Sequence, residues 1–428
     1  NTKDEGEGDG KHTQGEPNAA PDYVEIMARY FEEVWLKEID VLKYPTPPTP
    51  YKVEVRNIDP YLGVTKPSNY LTKTTISYIA MDNDYPNYAE IDQKNNIIKV
   101  TAAHEFFHAL QMYNYNQYPK DNTGGNGKWW MEATATWMED EVYDEINDYV
   151  NYLFGWFEYP YLSLNAFSTV YNPLPDETHQ YGSSIFAKYL SEKTPEKQEI
   201  IMNIWKTCGE GKRGTATLDA INKVLGGEAN FKKFFKNFST ANFIEKPILF
   251  IDSQYNYEDD AALDYPDMSI KTSYPLINNP NQHFVGKEPL PAEYGDRLYM
   301  LDDKELPHLA SHYLKFTPPE QLDKPTKLYL NFKQGPGGSK DWGSKIVLVM
   351  IDGTKIITEM VEKEKDFFIF KGDFGFTLYN PKPNEIREVG FIPTNLDQIS
   401  NLRKYQYSAL VIPQFEDAYR NLVSIYTG

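Results

Sequence analysis

Cysteine is almost absent from this chain of 428 residues, which contains only Cys208. A single thiol cannot form an internal disulfide, and the sequence has no C-x-x-C pair for a metal or redox centre. We therefore predict that Cys208, near the end of a helix, is a small buried apolar side chain. Bacteria secrete many proteins without disulfides, so this scarcity is compatible with an extracellular location.

Basic residues and long apolar runs are also scarce. The 43 Lys and Arg against 62 Asp and Glu give a formal net charge of -19, which excludes a nucleic-acid partner because phosphate binding requires clustered cations. No run approaches the roughly 18 apolar residues of a transmembrane helix. Glycine-rich phosphate loops and nucleophile motifs are missing as well. Since the first residue is not methionine, we expect that a targeting segment was removed.

Composition divides the chain into four stretches. Residues 1–20 are polar and glycine-rich, and we expect a disordered lead. Residues 21–250 carry apolar side chains at helical spacing, with a few strand-like segments, and are predicted to form the first domain. Residues 251–300 form a connector rich in Tyr, Asp and Pro. Residues 301–428 contain short alternating segments with turn signals, which predict a β-sandwich accessory domain and an α+β chain overall.

The sequence H-E-F-F-H, residues 104–108, lies within an apolar helical stretch. His104 and His108 are four residues apart, so both imidazoles project from one helix face and can bind one metal ion. Glu105 would then reach the open coordination position, where it can accept a proton from water. Burying these three side chains without a metal would be costly. The motif therefore predicts a zinc site with Glu105 as the general base.

A third metal ligand is expected from a second helix, in W-W-M-E-A-T-A-T-W-M-E-D-E at residues 129–141. The alternative pattern with a third histidine is excluded, because Gln111 and Asn114 occupy the positions that it would need. We favour Glu132 as the ligand. Glu139 shares its helix face two turns later, and remains an alternative ligand or an outer group.

These two motifs resemble the paired signature of gluzincin metallopeptidases. More narrowly, T-A-A-H-E-F-F-H-A-L-Q and the Trp-rich segment resemble secreted bacterial metalloproteases distantly akin to collagenases and immune-inhibitor-A-type enzymes. The resemblance implies a zincin-like first domain, zinc ligands His104, His108 and Glu132, and an extracellular endopeptidase acting on protein or peptide substrates. The position of the Asp that orients a zinc-bound His in thermolysin-like enzymes is Thr136 here, which leaves the partners of the histidines unassigned.

Further site residues are expected from the same resemblance. The segment H-Q-Y-G-S-S, beginning at residue 179, offers His179 and Tyr181 as donors to the oxyanion, with Tyr181 preferred. By analogy, Thr74–Met81 would be the edge strand along which a peptide lies. We expect the protein to be a monomer, and its source to be a bacterium.

Two weaker readings of the sequence remain. The oxygen-rich loops at residues 81–85 and 257–260 could hold structural calcium, although their spacing also suits plain acidic loops. The alternative function is a zinc-binding but weakly proteolytic or non-proteolytic extracellular protein, such as an adhesin, that acts through its C-terminal β-sandwich.

Overall fold

The structure is a computed structural model of the chain. It describes residues 22–68, 76–88, 90–115, 127–170, 173–210, 214–244, 255, 257–258, 271–273, 276–277, 304–317, 326–334, 341–364, 367–374, 386–399 and 402–413. The expected lead, residues 1–20, and most of the expected connector lie outside these ranges. The chain divides into two compact units, Asn1–Tyr159 with Asn165–Phe231, and Pro160–Leu164 with Lys232–Gly428.

The first unit is mainly helical. Its helices are α1 (Asp22–Trp35), α2 (Ile91–Leu110), α3 (Lys128–Val142), α4 (Phe154–Phe157), α5 (His179–Gly182), α6 (Ser184–Lys193), α7 (Glu199–Gly209) and α8 (Thr217–Val224), and the boundary between the units falls within α9 (Glu228–Ile244). Helices α1 and α2 continue as π-helices, Leu36–Val41 and Gln111–Tyr115, and a 3-10 turn covers Asp148–Tyr152. In α1, Met27, Tyr30 and Val34 are buried, as their helical spacing predicts.

A small sheet of three described strands accompanies these helices, with β1 (Val53–Val55), β2 (Gly63–Pro67) and β3 (Ser77–Met81) in the order β1-β3-β2. Strand β3 pairs in parallel with β1 and antiparallel with β2. The expectation that Thr74–Met81 is an edge strand is therefore wrong for its described part, Ser77–Met81. The nearly continuous apolar run of β3 is typical of a strand paired on both sides. The two edge positions belong to the half-buried strands β1 and β2.

Helices α2 and α3 pack against each other in the core of the first unit. Phe107 on α2 and the indoles of Trp129, Trp130 and Trp137 on α3 are almost completely buried. Full burial of each such aromatic ring stabilises the fold by a few kcal/mol, about 1.5–3 kcal/mol for a Phe. Their burial fixes which faces of α3 are turned into the core. Cys208 on α7 is also buried, which confirms that prediction.

The second unit contains the C-terminal sheet region. Its described strands are β4 (Lys271–Ser273), β5 (Leu276–Ile277), β6 (Lys304–Leu306), β7 (Ala310–Ser311), β8 (Leu314–Phe316), β9 (Thr326–Gln334), β10 (Trp342–Met350), β11 (Lys355–Glu359), β12 (Val361–Glu364), β13 (Phe367–Phe374), β14 (Ile386–Asn395) and β15 (Arg403–Pro413). They form one hydrogen-bonded network, with the path β11-β10-β14-β13-β9-β15-β5. The alternate residues Leu328, Leu330 and Phe332 of β9 enter its apolar core.

The hairpin between β10 and β11 turns at Asp352-Gly353. Gly353 has a φ of 87°, a left-handed conformation that glycine adopts without strain. The Asp352 carboxylate accepts the Thr354 N–H at 2.9 Å.

The coarse prediction of a chain that combines helices with sheets, and has a sheet region in its C-terminal part, is confirmed by these elements. Among the described residues, no helix is both long and apolar enough to cross a bilayer.

Candidate metal centre

Helices α2 and α3 bring the three predicted ligands together. Glu132 Oε2 lies 3.4 Å from His104 Nε2 and 3.3 Å from His108 Nε2. The two imidazole rings stand nearly perpendicular, with their centroids 4.7 Å apart. One ligand atom of each residue lies within 4.8 Å of the other two. The side chains keep between 9% and 21% of their surface exposed, so an ion can reach them from solvent.

The separations fit the donor geometry of zinc. Two ligands of a tetrahedral zinc ion, each about 2.0–2.2 Å from the metal, lie roughly 3.3–3.5 Å apart. The two measured N–O distances fall in this range. They are longer than an ordinary N–H···O hydrogen bond of about 2.7–3.2 Å. Two imidazoles and one carboxylate are also the protein ligands of many catalytic zinc sites, so the residues present fit this metal.

The opposite ring nitrogens of both histidines have their own partners. His104 Nδ1 lies 2.6 Å from Glu139 Oε1, and His108 Nδ1 lies 2.8 Å from Gln111 Oε1. An Nδ1–H that donates to an oxygen leaves Nε2 with its lone pair free for a metal. Both contacts therefore fix the tautomer and the ring orientation that metal binding requires.

Gln111 is itself held in place by α3. Its side-chain amide donates to the Met131 carbonyl and to the Thr134 hydroxyl, both at 3.1 Å. The Thr134 hydroxyl also accepts the Trp205 indole N–H at 3.2 Å. This role of Gln111 was not predicted from the sequence, where the residue served only to exclude the pattern with a third histidine. The signal available in the sequence was an amide side chain three residues after a candidate metal-binding His on the same helix.

Glu139 lies on the far side of His104 from Glu132, the position expected of an outer group. Its carboxylate contacts His104 Nδ1, whereas the oxygen that approaches both Nε2 atoms belongs to Glu132. Thr136, at the position where thermolysin-like enzymes have Asp, is fully buried, and its hydroxyl has no hydrogen-bond partner among the described residues. The orienting carboxylate therefore comes from a position three residues further along α3.

The ligand cluster attracts positive charge. Burial by itself lowers the pKa of His104, but its contacts with Glu132 and Glu139 raise this pKa well above its usual 6.5. Burial raises the pKa of Glu132, but His108 and His104 outweigh it and lower that pKa below its usual range. Burial raises the pKa of Glu139 to about 7, against the opposing effect of His104. A bound dication would replace the proton that this cluster otherwise holds.

Glu105 faces strand β2. The Thr65 hydroxyl oxygen lies 2.6 Å from Glu105 Oε2 and 2.8 Å from the Glu105 main-chain carbonyl. A Cβ atom added to Gly63 would lie 2.7 Å from both Glu105 Cγ and Thr101 Cγ2, closer than real Cβ atoms approach. The absence of a side chain at Gly63 therefore lets β2 lie directly against Glu105.

Tyr181 and His179 occupy different environments. The Tyr181 ring lies 6.1 Å from the His104 ring, centroid to centroid. Negative charge on Glu132 is the largest cause of its raised pKa, followed by burial and by Glu105, so its hydroxyl remains a hydrogen-bond donor. His179 is fully buried, stacks on Trp156 and places Nδ1 2.9 Å from the Gly155 carbonyl. Of the two, Tyr181 is the residue beside the ligands.

Asp82 and Asp84 of the first expected calcium loop form a compact acidic group with Asp59, which lies outside that loop in the sequence. The Asp82 carboxylate accepts the main-chain N–H groups of Ile58, Asp84 and Tyr85 at 3.0, 3.2 and 2.9 Å. The Asp82 carboxylate therefore stabilises the conformation of the loop in which it lies. Of the second expected loop, residues 259–260 lie outside the described residues.

Comparison with known proteins places the first unit in a family. The fold and site define an α+β chain with a two-histidine, one-glutamate candidate metal centre. The chain belongs to the family of unknown function DUF6055, whose model matches residues 17–242 and so includes the whole site. No curated protein matches the chain.

Among solved structures, the chain is similar to the pre-peptidase C-terminal domain of a collagenase from Bacillus anthracis. The identity is 8%, and the match covers 34% of this chain and 99% of that domain. The TM-score is 0.20, which is too low to carry an argument about fold or function.

Proposed function

We propose that the protein is a secreted, zinc-dependent endopeptidase with a zincin-like first unit and a β-sandwich formed by its C-terminal strands. The observation that carries the proposal is the convergence of His104 Nε2, His108 Nε2 and Glu132 Oε2. Each imidazole has its second nitrogen held by an oxygen acceptor, as catalytic zinc sites require. Glu105 follows His104 in the chain and supplies a carboxylate at the same site.

The roles of the surrounding residues follow from their positions. Zinc, when bound, would lower the pKa of a water molecule and polarise the scissile carbonyl. Glu105 accepts the proton of the attacking water and passes it to the leaving amine nitrogen. Tyr181 keeps its phenolic proton, because Glu132, burial and Glu105 raise its pKa. Its hydroxyl donates a hydrogen bond to the oxyanion that forms on the substrate.

Strand β2, rather than β3, is where we place the extended substrate. Among the described residues β2 pairs with β3 alone, so its other edge can accept a peptide by main-chain hydrogen bonding. Tyr61, just before β2, is 64% exposed. An exposed aromatic side chain beside this edge strand can contact a peptide bound there.

We favour the peptidase over the alternative of a zinc-binding protein without proteolysis. The absence of an orienting carboxylate at Thr136 would favour that alternative. Glu139 now supplies a carboxylate to His104, at 2.6 Å. Glu105 is also present, and its loss would be the simplest way to silence such a site.

The test compares zinc content and hydrolysis of casein, gelatin and a mixed fluorogenic peptide library. Wild type, Glu105→Gln and Glu141→Gln are measured in parallel, because Glu141→Gln removes a carboxylate from α3 without touching a ligand. We expect one zinc per chain in all three, and a loss of activity by about 10²- to 10⁴-fold in Glu105→Gln alone. Zinc without hydrolysis in the wild type would contradict the peptidase, and absence of zinc would contradict the metal centre as well.

A further inference from the structure

Strand β2 meets the proposed general base through one of its two faces. Side chains alternate along a strand, so Gly63 and Thr65, two residues apart, point in the same direction. Both lie against Glu105: Gly63 by its close approach to Glu105 Cγ, and Thr65 through its hydroxyl. One face of this edge strand is therefore shaped around a single side chain of α2.

The Thr65 hydroxyl faces two acceptors of Glu105, and its single hydrogen can be donated to either one. It lies within hydrogen-bond distance of both the Oε2 atom and the main-chain carbonyl oxygen of the same residue. No other described residue hydrogen-bonds to the Glu105 carboxylate. Oε1 thus remains available while Oε2 is fixed, so that one oxygen anchors the group and the other can face the substrate.

We propose that Thr65 is a positioning residue that fixes the Glu105 carboxylate for catalysis, an inference that rests on the proposed peptidase function. Threonine suits this role because its β-branched side chain has few rotamers. Its hydroxyl can also donate to one oxygen and accept from another. It donates to Oε2 while Glu105 is ionised. When Oε2 carries a proton, the Oε2–H donates a hydrogen bond to the hydroxyl oxygen, and the hydroxyl donates to the Glu105 carbonyl instead.

This arrangement joins substrate binding to the general base. The strand along which we place the peptide is also the strand that fixes Glu105, so one element sets the position of both. A loss of the hydroxyl should therefore reduce turnover and leave peptide pairing with the β2 main chain intact. A displacement of about 1 Å at a reacting group can reduce a rate by about 100-fold.

The experiment compares Thr65→Val, which removes the hydroxyl at nearly constant shape, with Thr65→Ser, which keeps it. Thr194→Val is the matched control, because it removes a hydroxyl that, among the described residues, hydrogen-bonds only to the Leu190 carbonyl, at 2.9 Å. For each zinc-loaded protein we would measure zinc content, kcat and KM on a cleaved peptide, and the Glu105 side-chain position in a crystal structure. We expect Thr65→Val to lose about 10- to 100-fold in kcat with KM and zinc content unchanged. Thr65→Ser should remain within about threefold of wild type, since it retains the hydroxyl.

Two readouts keep this inference separate from the proposed function. If the wild type cleaves no peptide, the peptidase proposal fails, and the crystal structures alone decide the role of Thr65. Glu105 displaced in Thr65→Val but not in Thr65→Ser would support positioning by the hydroxyl. An unmoved Glu105 in Thr65→Val, or an equal loss of kcat in Thr65→Ser, would overturn it.

Discussion

Replacing Glu139 by Gln should weaken zinc binding without weakening the metal-free fold. The Glu139 carboxylate lies 2.6 Å from His104 Nδ1, a length typical of a strong, charge-assisted hydrogen bond. Gln keeps an oxygen acceptor at nearly the same place but removes the negative charge. Loss of such an outer partner typically reduces metal affinity by about 10- to 100-fold, or about 1.4–2.8 kcal/mol.

The effect on the metal-free protein should differ from the effect on zinc binding. Burial raises the pKa of the Glu139 carboxyl to about 7, so an ionised carboxylate is unfavourable there without a metal. The neutral amide of Gln avoids this desolvation. At neutral pH we therefore expect Glu139→Gln to unfold at a denaturant concentration equal to or higher than wild type.

Zinc affinity would be measured by competition with a chelator of known affinity at one fixed pH. Glu141→Gln, on the same helix, controls for the general loss of one negative charge. Equal affinities for Glu139→Gln and Glu141→Gln would refute the reasoning, because Glu139 would then act only through its distant charge.

Three further outcomes are expected. Gln111→Ala should lower the free energy of unfolding by about 1–3 kcal/mol in a denaturant titration, since it leaves buried partners of the amide unsatisfied. It should also weaken zinc binding. Unchanged values of both quantities would contradict the role of Gln111 as the partner that holds His108. Zinc affinity should rise with pH until the pH passes the raised pKa of His104, because zinc must displace the proton on that imidazole. The rise should be up to about tenfold per pH unit for each proton released. A pH-independent affinity in chelator competition would contradict this. Gly63→Ala should retain zinc but lose hydrolytic activity, because the added Cβ would displace Glu105. If the variant is as active as the wild type, the close contact between β2 and Glu105 is contradicted.

The sequence could predict that the candidate ligands His104 and His108 lie side by side, because that placement depends on helical periodicity alone. His104 and His108 share a face whatever the rest of the fold, and the aromatic residues around Glu132 predict a buried second helix. The choice between Glu132 and Glu139 was harder, because both lie on one face of α3. Only the position of α3 relative to α2 separates the ligand from the outer group.

Other features depend on packing that no local pattern encodes. The partner of His108, Gln111, begins a π-helix in which the turns of α2 widen, and the sequence predicted only a continuous helix there. The order of the strands places β2 at the edge, although β3 has the stronger strand pattern. Thr65 and Gly63 were not singled out, because strand pairing and the approach to Glu105 are both long-range.

The most direct test of the account is anomalous diffraction at the zinc edge from crystals of the protein grown with zinc. The account predicts one strong peak, within about 2.0–2.2 Å of His104 Nε2, His108 Nε2 and a Glu132 oxygen. Glu139 and Gln111 should remain on the Nδ1 atoms. No peak between these three residues, or a zinc ion bound elsewhere with these side chains still in mutual contact, would contradict it.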